Sequence, residues 1–314
     1  MAITTTSVLP PAIAQTYAYK LLEARSKACI HGMAVQQKTL PKGGGDTLRF
    51  RRRVPFDHVL APLGNSGQTP PAKTLSVTTM DAKPEWYGTY TIINEQVIVT
   101  GQDPVLNMAA EGLGQCMKES DDIIIRDVLA STASFQNCTF GVNGDSPTEV
   151  TADDLAKAYK TLVANDARPT LEGLESEDKF GSYPVQDSFF ALVHSDLITD
   201  LSRVDNFTLK INYSNQRGIR NSEYGAAEGF RFFNSSLGSK SSVLSANGET
   251  IYNMLMIAKD AAARVALEGN GQFLYNPPID PLRQNCTAAV KWVQKPKILN
   301  DEYLLRVATT LRYS

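Results

Sequence analysis

Apolar and polar positions along this chain switch between two periods, and the switches mark its elements. Thr16 to Ala34 carries Tyr17, Leu21, Leu22, Ala24 and Ala28 at helical spacing, with Lys20, Arg25 and Lys27 between them. A helix is therefore expected after the Pro10-Pro11 pair, with an extended arm before it. Lys42-Gly-Gly-Gly-Asp46 interrupts the pattern. Thr47 to Val59 resumes in β-formers, Leu60 to Lys73 collects Pro62, Gly64, Gly67, Pro70 and Pro71, and Thr74 to Thr79 is β-type again. This predicts a long hairpin with a Gly- and Pro-rich tip. Tyr87 to Thr100 reads as a further strand region.

Asp103-Pro104 offers an N-cap followed by proline at the first helical position. Leu106, Ala110, Leu113, Met117, Ile124 and Val128 then form one apolar stripe, so a helix is expected from about residue 105 to 131. Gly112 and Gly114 inside it point to a bend or a close crossing, at about 1 kcal/mol each. Thr151-Ala-Asp-Asp154 resembles a capping box opening a helix with Leu155, Ala158, Tyr159, Leu162 and Val163, which Arg168-Pro169 ends. Phe189 to Val193 predicts a short buried strand, and Ser195 a cap for a helix from Asp196 to Arg203. Gly229 to Asn234, Tyr252 to Ile257, Ala288 to Gln294 and Tyr303 to Leu311 are strand-like. The second half is thus expected to alternate strands and helices.

The chain has 314 residues with 42% hydrophobic and 20% charged residues, a composition that can bury a core. Thirty-one basic against 33 acidic residues give a net charge of −2, so any binding to nucleic acid or an anionic membrane must be local. The longest apolar runs, Phe189 to Val193 and Met254 to Ala258, fall far short of the roughly 18 residues of a membrane helix. No basic residue precedes Lys20, and Pro10-Pro11 breaks any signal-peptide core, so secretion by that route is not expected. The Asn-X-Ser/Thr matches then count as chance. Cys29, Cys116, Cys138 and Cys286 are too widely spaced for a redox pair or zinc knuckle and read as buried thiols.

Catalytic motifs are missing. His31, His58 and His194 lack metal-ligand or nucleophile partners in sequence, Gly43-Gly44-Gly45 is not followed by a phosphate-loop Lys, and no GxSxG elbow occurs. Asp121-Asp122 and Asp153-Asp154 diverge on helices and read as solvated faces. The one charge cluster is Arg49, Arg51, Arg52 and Arg53, in which alternate arginines would share a strand face. It reads as an anion or partner contact, or as a solvated edge that blocks aggregation. An arm of this length usually finds its partner in another subunit. The contact candidates are accordingly Arg49, Arg51, Arg52 and Arg53, with Gly64, Asn65, Gly67, Pro70 and Pro71 at the tip.

The order of arm, long hairpin, long helix, α/β region and closing strand resembles the major capsid proteins of tailed bacteriophages, the Hong-Kong-ninety-seven-type fold. Six segments are similar to the N-four-type subfamily: Leu9-Pro-Pro-Ala-Ile-Ala-Gln-Thr-Tyr-Ala-Tyr-Lys20, Gly45-Asp-Thr-Leu-Arg-Phe-Arg51, Thr69-Pro-Pro-Ala-Lys73, Gln102-Asp-Pro-Val-Leu-Asn107, Ala191-Leu-Val-His194 with Asp196-Leu197, and Lys297-Ile-Leu-Asn300. Ser195, in place of Pro, and Ala288-Ala289, in place of a Gly, depart from the pattern.

The resemblance implies an α+β fold with an N-terminal arm and helix over residues 1–44 and an extended E-loop hairpin with adjoining strands over 45–100. A peripheral domain with a spine helix would follow over 101–186, an α/β axial domain over 187–288, and return strands to the peripheral domain over 289–314. It implies hexamers and pentamers of an icosahedral shell in the virion, enclosing double-stranded DNA without sequence-specific binding and assembled in the host bacterial cytoplasm. Portal, scaffolding and decoration proteins are further candidate partners. No catalytic residue, cofactor, metal or membrane is implied. An encapsulin-type compartment and a soluble hydrolase with a composite histidine site are the alternatives.

Overall fold

The computed structural model describes residues 3–4, 27–60, 72–100, 104–139, 146–170, 187–213, 219–245, 247–269, 271–278, 280–282 and 284–312. Among these the elements run β1 (Ile3–Thr4), β2 (Gln36–Leu40), β3 (Leu48–Arg53), β4 (Val77–Ala82), β5 (Glu85–Asn94), α1 (Glu95–Thr100), α2 (Val105–Ala130), β6 (Phe135–Asn137), α3 (Ala152–Ala164), β7 (Phe189–His194), α4 (Ile198–Leu201), β8 (Thr208–Leu209), β9 (Glu223–Ala227), β10 (Phe230–Ser235), β11 (Lys240–Leu244), β12 (Thr250–Ile257), β13 (Ala262–Leu267), β14 (Gln272–Asn276), β15 (Asn285–Ile298) and β16 (Leu304–Thr309). No helix among them is long and apolar enough to cross a membrane.

The strands form an eight-stranded sheet, β6-β16-β12-β7-β10-β9-β8 with β11 beside β12, a six-stranded sheet, β1-β5-β15-β13-β2 with β14 beside β15, and the separate pair β3-β4. β7 is buried at every position, as its Phe-Phe-Ala-Leu-Val-His sequence demands of a central strand covered on both faces. One face of the eight-stranded sheet, with Phe189, Ala191, Val193, Phe230, Phe232, Met254 and Met256, packs on Leu155, Ala158 and Leu162 of α3. The other, with Phe190, Leu192, Phe233, Leu255 and Ile257, packs on Ile125 and Leu129 of α2 and on Ile30 and Val35. The N-terminal half of α2 instead meets the six-stranded sheet, where Val105, Leu106, Ala109 and Leu113 join Ile93, Cys286 and Ala288. A helix of 26 residues, about 39 Å at the standard rise, thus ties the two sheets together. The buried positions of α2 are Val105, Asp122, Ile125 and Leu129, so at its C-terminal end the buried face lies one residue away from the expected stripe through Ile124 and Val128.

Tertiary contacts revise several expectations. Glu95–Thr100 is helical rather than the end of a strand: the Asn94 side chain accepts the Gln96 N–H at 2.8 Å, the Glu95 N–H reaches the Gln284 carbonyl at 2.6 Å, and Val97 is buried. These contacts outweigh the β propensity of Val-Ile-Val. Residues 27–34 form a coil and a single short turn instead of the end of a helix; residues 5–26, the rest of that expected arm and helix, lie outside the described residues. After β7 the helix expected from Asp196 to Arg203 is present as a short turn, Ser195–Leu197, running into α4; beyond it strands are joined by single short turns at Lys210–Asn212 and Asp301–Tyr303 among the described residues, so a regular alternation of strands with helices is not observed. His194, not Ser195, caps the turn that follows β7. Gly112 and Gly114 have open space where a Cβ would stand, which removes the close-crossing reading. β13 and β14 lie in the six-stranded sheet, and the closing strand β16 lies in the eight-stranded one.

The capping box is present as expected. Thr151 Oγ1 accepts the Asp154 N–H and Asp154 accepts the Thr151 N–H, both at 3.3 Å, an arrangement that contributes about 1 kcal/mol. Asp154 is consequently buried and Asp153 exposed. Asp121 and Asp122 are not solvated either. Asp121 pairs with Arg264 at 2.5 Å, and Asp122 accepts the N–H groups of Ile30, His31 and Gly32 and the His31 Nδ1–H. Two of the four cysteines, Cys29 and Cys116, are exposed rather than buried.

Candidate subunit interface

The β3-β4 hairpin pairs from Leu48↔Ala82 to Arg53↔Val77, and Val54 extends it through an N–H···O bond to Ser76 at 3.1 Å. Its root touches the body: Ala82 is buried and Leu48 and Phe50 are half-buried. Beyond the root every described position from Arg51 to Leu60 and from Ala72 to Thr79 is exposed. Apolar side chains are among them, with Phe56 51%, Leu75 64%, Val59 74% and Leu60 92% exposed. A pair of strands without a core is marginal alone, and so large an uncovered apolar set marks an interaction surface.

The arginines divide. Arg49 makes a bidentate pair across the hairpin with Asp81, Nε–Oδ1 2.7 Å and Nη2–Oδ2 2.8 Å, and its hydrogen bond holds the Asp81 carboxyl below its usual range. Arg49 is therefore engaged within its own chain while its side chain stays exposed. Arg51, Arg52 and Arg53 are exposed and make no salt bridge among the described residues. Lys83 pairs with Asp46 at 2.7 Å at the root, and the Lys73 ammonium donates to the Asp57 carbonyl. Gly64, Asn65, Gly67, Pro70 and Pro71 lie outside the described residues.

The histidines occupy three unrelated settings. His58 is exposed in the segment that follows β3, and His31 is buried on Asp122 with Nδ1–Oδ2 2.7 Å. His194 is buried where its Nδ1 accepts the Asp196 N–H at 3.1 Å. Burial pushes His194 below the ordinary imidazole value, and the Asp196 carboxylate opposes that shift. Asp196 itself receives Tyr252 Oη at 2.9 Å and Lys240 Nζ at 3.0 Å. Burial favours a higher Asp196 value, but these donors outweigh it and hold the carboxyl low. A side chain at Gly238 would stand 2.5 Å from the His194 Cα, so only glycine allows this approach. Among the described residues no group of three or more His, Cys, Asp or Glu could hold a metal. An open apolar groove of about 310 Å³ between β5 and α2 is lined by Thr91, Ile93, Val105, Met108, Ala109, Gly112 and Leu113, none of them titratable.

Two buried polar devices escaped the sequence. One is the Asp122 cradle, whose partners lie about ninety positions away. The other is Arg231, paired with Glu223 through Nε–Oε1 and Nη2–Oε2, both 2.7 Å. The signal for the second is an arginine inside the apolar run Phe230–Phe233, which requires a counter-charge but does not name it.

No family model matches the sequence, and no curated protein matches it. Solved structures do. The capsid of Ralstonia phage GP4 aligns with a TM-score of 0.69 at 11% identity, covering 96% of this chain and 96% of that one. The head structure of Helicobacter pylori bacteriophage KHP40 aligns at 0.67 and 12% identity, covering 99% and 98%. The capsid of Cyanophage P-SCSP1u aligns at 0.65 and 12%, covering 95% and 93%. The chain has the α+β fold of these phage capsid subunits over nearly its whole length, as the sequence resemblance implied.

Proposed function

We propose that the chain is a structural shell protein, the major capsid subunit of a tailed bacteriophage, and that copies of it close into hexamers and pentamers around double-stranded DNA. The observation that carries this reading is the hairpin: an exposed strand pair whose continuing segments carry uncovered apolar side chains, with three guanidiniums outside any salt bridge among the described residues, on a fold shared over nearly its whole length with phage capsid subunits. Such a surface is buried when a neighbouring copy takes it up. In this reading the hairpin is the E-loop, and the six-stranded sheet with the first half of α2 is the peripheral domain. The eight-stranded sheet is the axial domain. Arg51, Arg52 and Arg53 meet carboxylates of a neighbour, and Gly64, Asn65, Gly67, Pro70 and Pro71 are further proposed contacts. The quoted segments support the N-four-type subfamily as its finer placement.

No enzymatic role is part of this proposal. The shell would be built in the host cytoplasm and carried in the virion, with portal, scaffolding and decoration proteins as partners. Expression of the chain followed by sedimentation and negative-stain microscopy tests it. Closed particles of uniform size are expected, and a chain that stays monomeric under all conditions of salt and concentration would overturn it. Nucleic acid inside particles recovered from infected cells separates a genome container from a compartment around a protein cargo.

A further inference from the structure

We infer that β14 is a self-pairing edge through which two copies of this chain join their six-stranded sheets about a two-fold axis. The proposal rests on the shell reading for its setting and adds to it a contact distinct from the hairpin. β14 pairs with β15 along one side only, from Gln272↔Lys291 to Asn276↔Thr287, and among the described residues nothing pairs with its other side. All five of its positions are exposed, including Phe273 at 46%, Leu274 at 41% and Tyr275 at 48%. Edge strands that stay single usually carry a lysine, a proline or an inward charge; Gln-Phe-Leu-Tyr-Asn carries none. Such an edge is a template for another strand.

The sequence says which strand. Laid antiparallel on itself with Leu274 at the centre, the segment sets Gln272 against Asn276, Phe273 against Tyr275, and Leu274 against Leu274. Every pair is matched in kind: amide with amide, aromatic with aromatic, aliphatic with aliphatic. Aromatic cross-strand pairs are among the stabilising ones, and an isologous contact requires this self-complementarity. Gly271 precedes the strand and Pro277-Pro278 end it, so prolines without an N–H bar the pairing from slipping further along. The neighbouring carboxylates turn to their own chain: Glu268 accepts the Lys42 N–H at 3.2 Å, and Asp280 accepts those of Gln284 and Asn285 at 2.8 and 3.1 Å.

Cysteine cross-linking tests the register, in a full-length background with Cys29→Ser and Cys116→Ser. In the paired state residue 274 faces its own copy at about 4.5 to 5.5 Å between Cα atoms, within disulfide reach, whereas residue 273 lies about 7 to 8 Å from its own copy. Leu274→Cys should therefore give a covalent dimer on oxidation, about tenfold more than Phe273→Cys alone, and the double variant Phe273→Cys with Tyr275→Cys should cross-link again. Leu274→Lys sets two ammonium groups face to face and should lower association about tenfold, equivalent to about 1.4 kcal/mol, with far-UV dichroism unchanged. Particles that form while Leu274→Cys stays uncross-linked, or while all three variants cross-link alike, overturn the β14 pairing and leave the shell reading standing. Cross-linked dimers without particles support the pairing and count against the shell. Failure of the background protein to associate at all overturns both.

Discussion

Two arginine–carboxylate pairs in this molecule have the same geometry and opposite settings. Arg231 and Glu223 meet at 2.7 Å with side chains 6% and 0% exposed, between neighbouring strands of the eight-stranded sheet. Arg49 and Asp81 meet at 2.7 Å with side chains 63% and 46% exposed, across the free hairpin. Water and salt screen the second pair, so breaking it leaves two solvated charges. Breaking the first strands a charge in the core, beside a Tyr213 hydroxyl and an Arg220 N–H that also bind Glu223. The comparison separates two tasks within one chain. The sheet holds the subunit together, and the hairpin waits for a partner.

The sharpest way to break that separation is Glu223→Gln. It leaves the Arg231 guanidinium buried without its counter-charge and should destabilise the subunit by about 3 to 5 kcal/mol in urea titration. The equivalent change on the hairpin, Asp81→Asn, should leave the urea midpoint where it was. Equal losses at both sites would show that the hairpin is part of the core.

Next in size is Thr151→Ala, which removes the reciprocal cap of α3 and should lower subunit stability by about 1 kcal/mol, read from the same titration. A loss near zero would mean that α3 is held by Leu155, Ala158 and Leu162 alone.

Acidification should act on the sheet and spare the hairpin. The folded state holds His194 below its ordinary value, so as pH falls through about 6.5 the unfolded chain takes up a proton before the folded one does. Stability contributed by the neutral imidazole is complete above that pH and declines toward the lower folded value. His194→Gln should flatten the slope of stability against pH below about 6.5, measured by chemical denaturation against wild type. An unchanged slope would assign the acid sensitivity elsewhere.

The smallest effect on the subunit, and the decisive one for assembly, belongs to Arg51→Glu with Arg52→Glu and Arg53→Glu. Circular dichroism and melting should match wild type because these side chains are exposed and make no salt bridge among the described residues. Sedimentation should show loss of particles as attraction to a neighbour becomes repulsion. Particles of normal size from the triple variant would return the cluster to a solvated edge.

Local patterns were readable wherever one element's own chemistry decides it. Pro104 and the apolar spacing after it announced α2, Thr151 with Asp154 announced α3, and the apolar run from Phe189 announced a buried central strand. The hairpin was legible from two β-type stretches around a Gly- and Pro-rich turn, and its arginines from their alternate spacing. Their division was not: nothing in Arg49 itself distinguishes it from Arg51 until Asp81 is brought opposite by the strand register.

By itself the sequence determined where α2, α3 and the buried strand β7 lie and which catalytic motifs it lacks, because periodicity, capping and turn chemistry act within a few residues. Only the tertiary structure decided that Asp122 lies buried under the N–H groups of Ile30 to Gly32, that Glu95–Thr100 is helical, and that Cys29 and Cys116 remain exposed. A buried polar group needs a partner, and the chain supplies that partner from whatever distant segment the sheets place beside it.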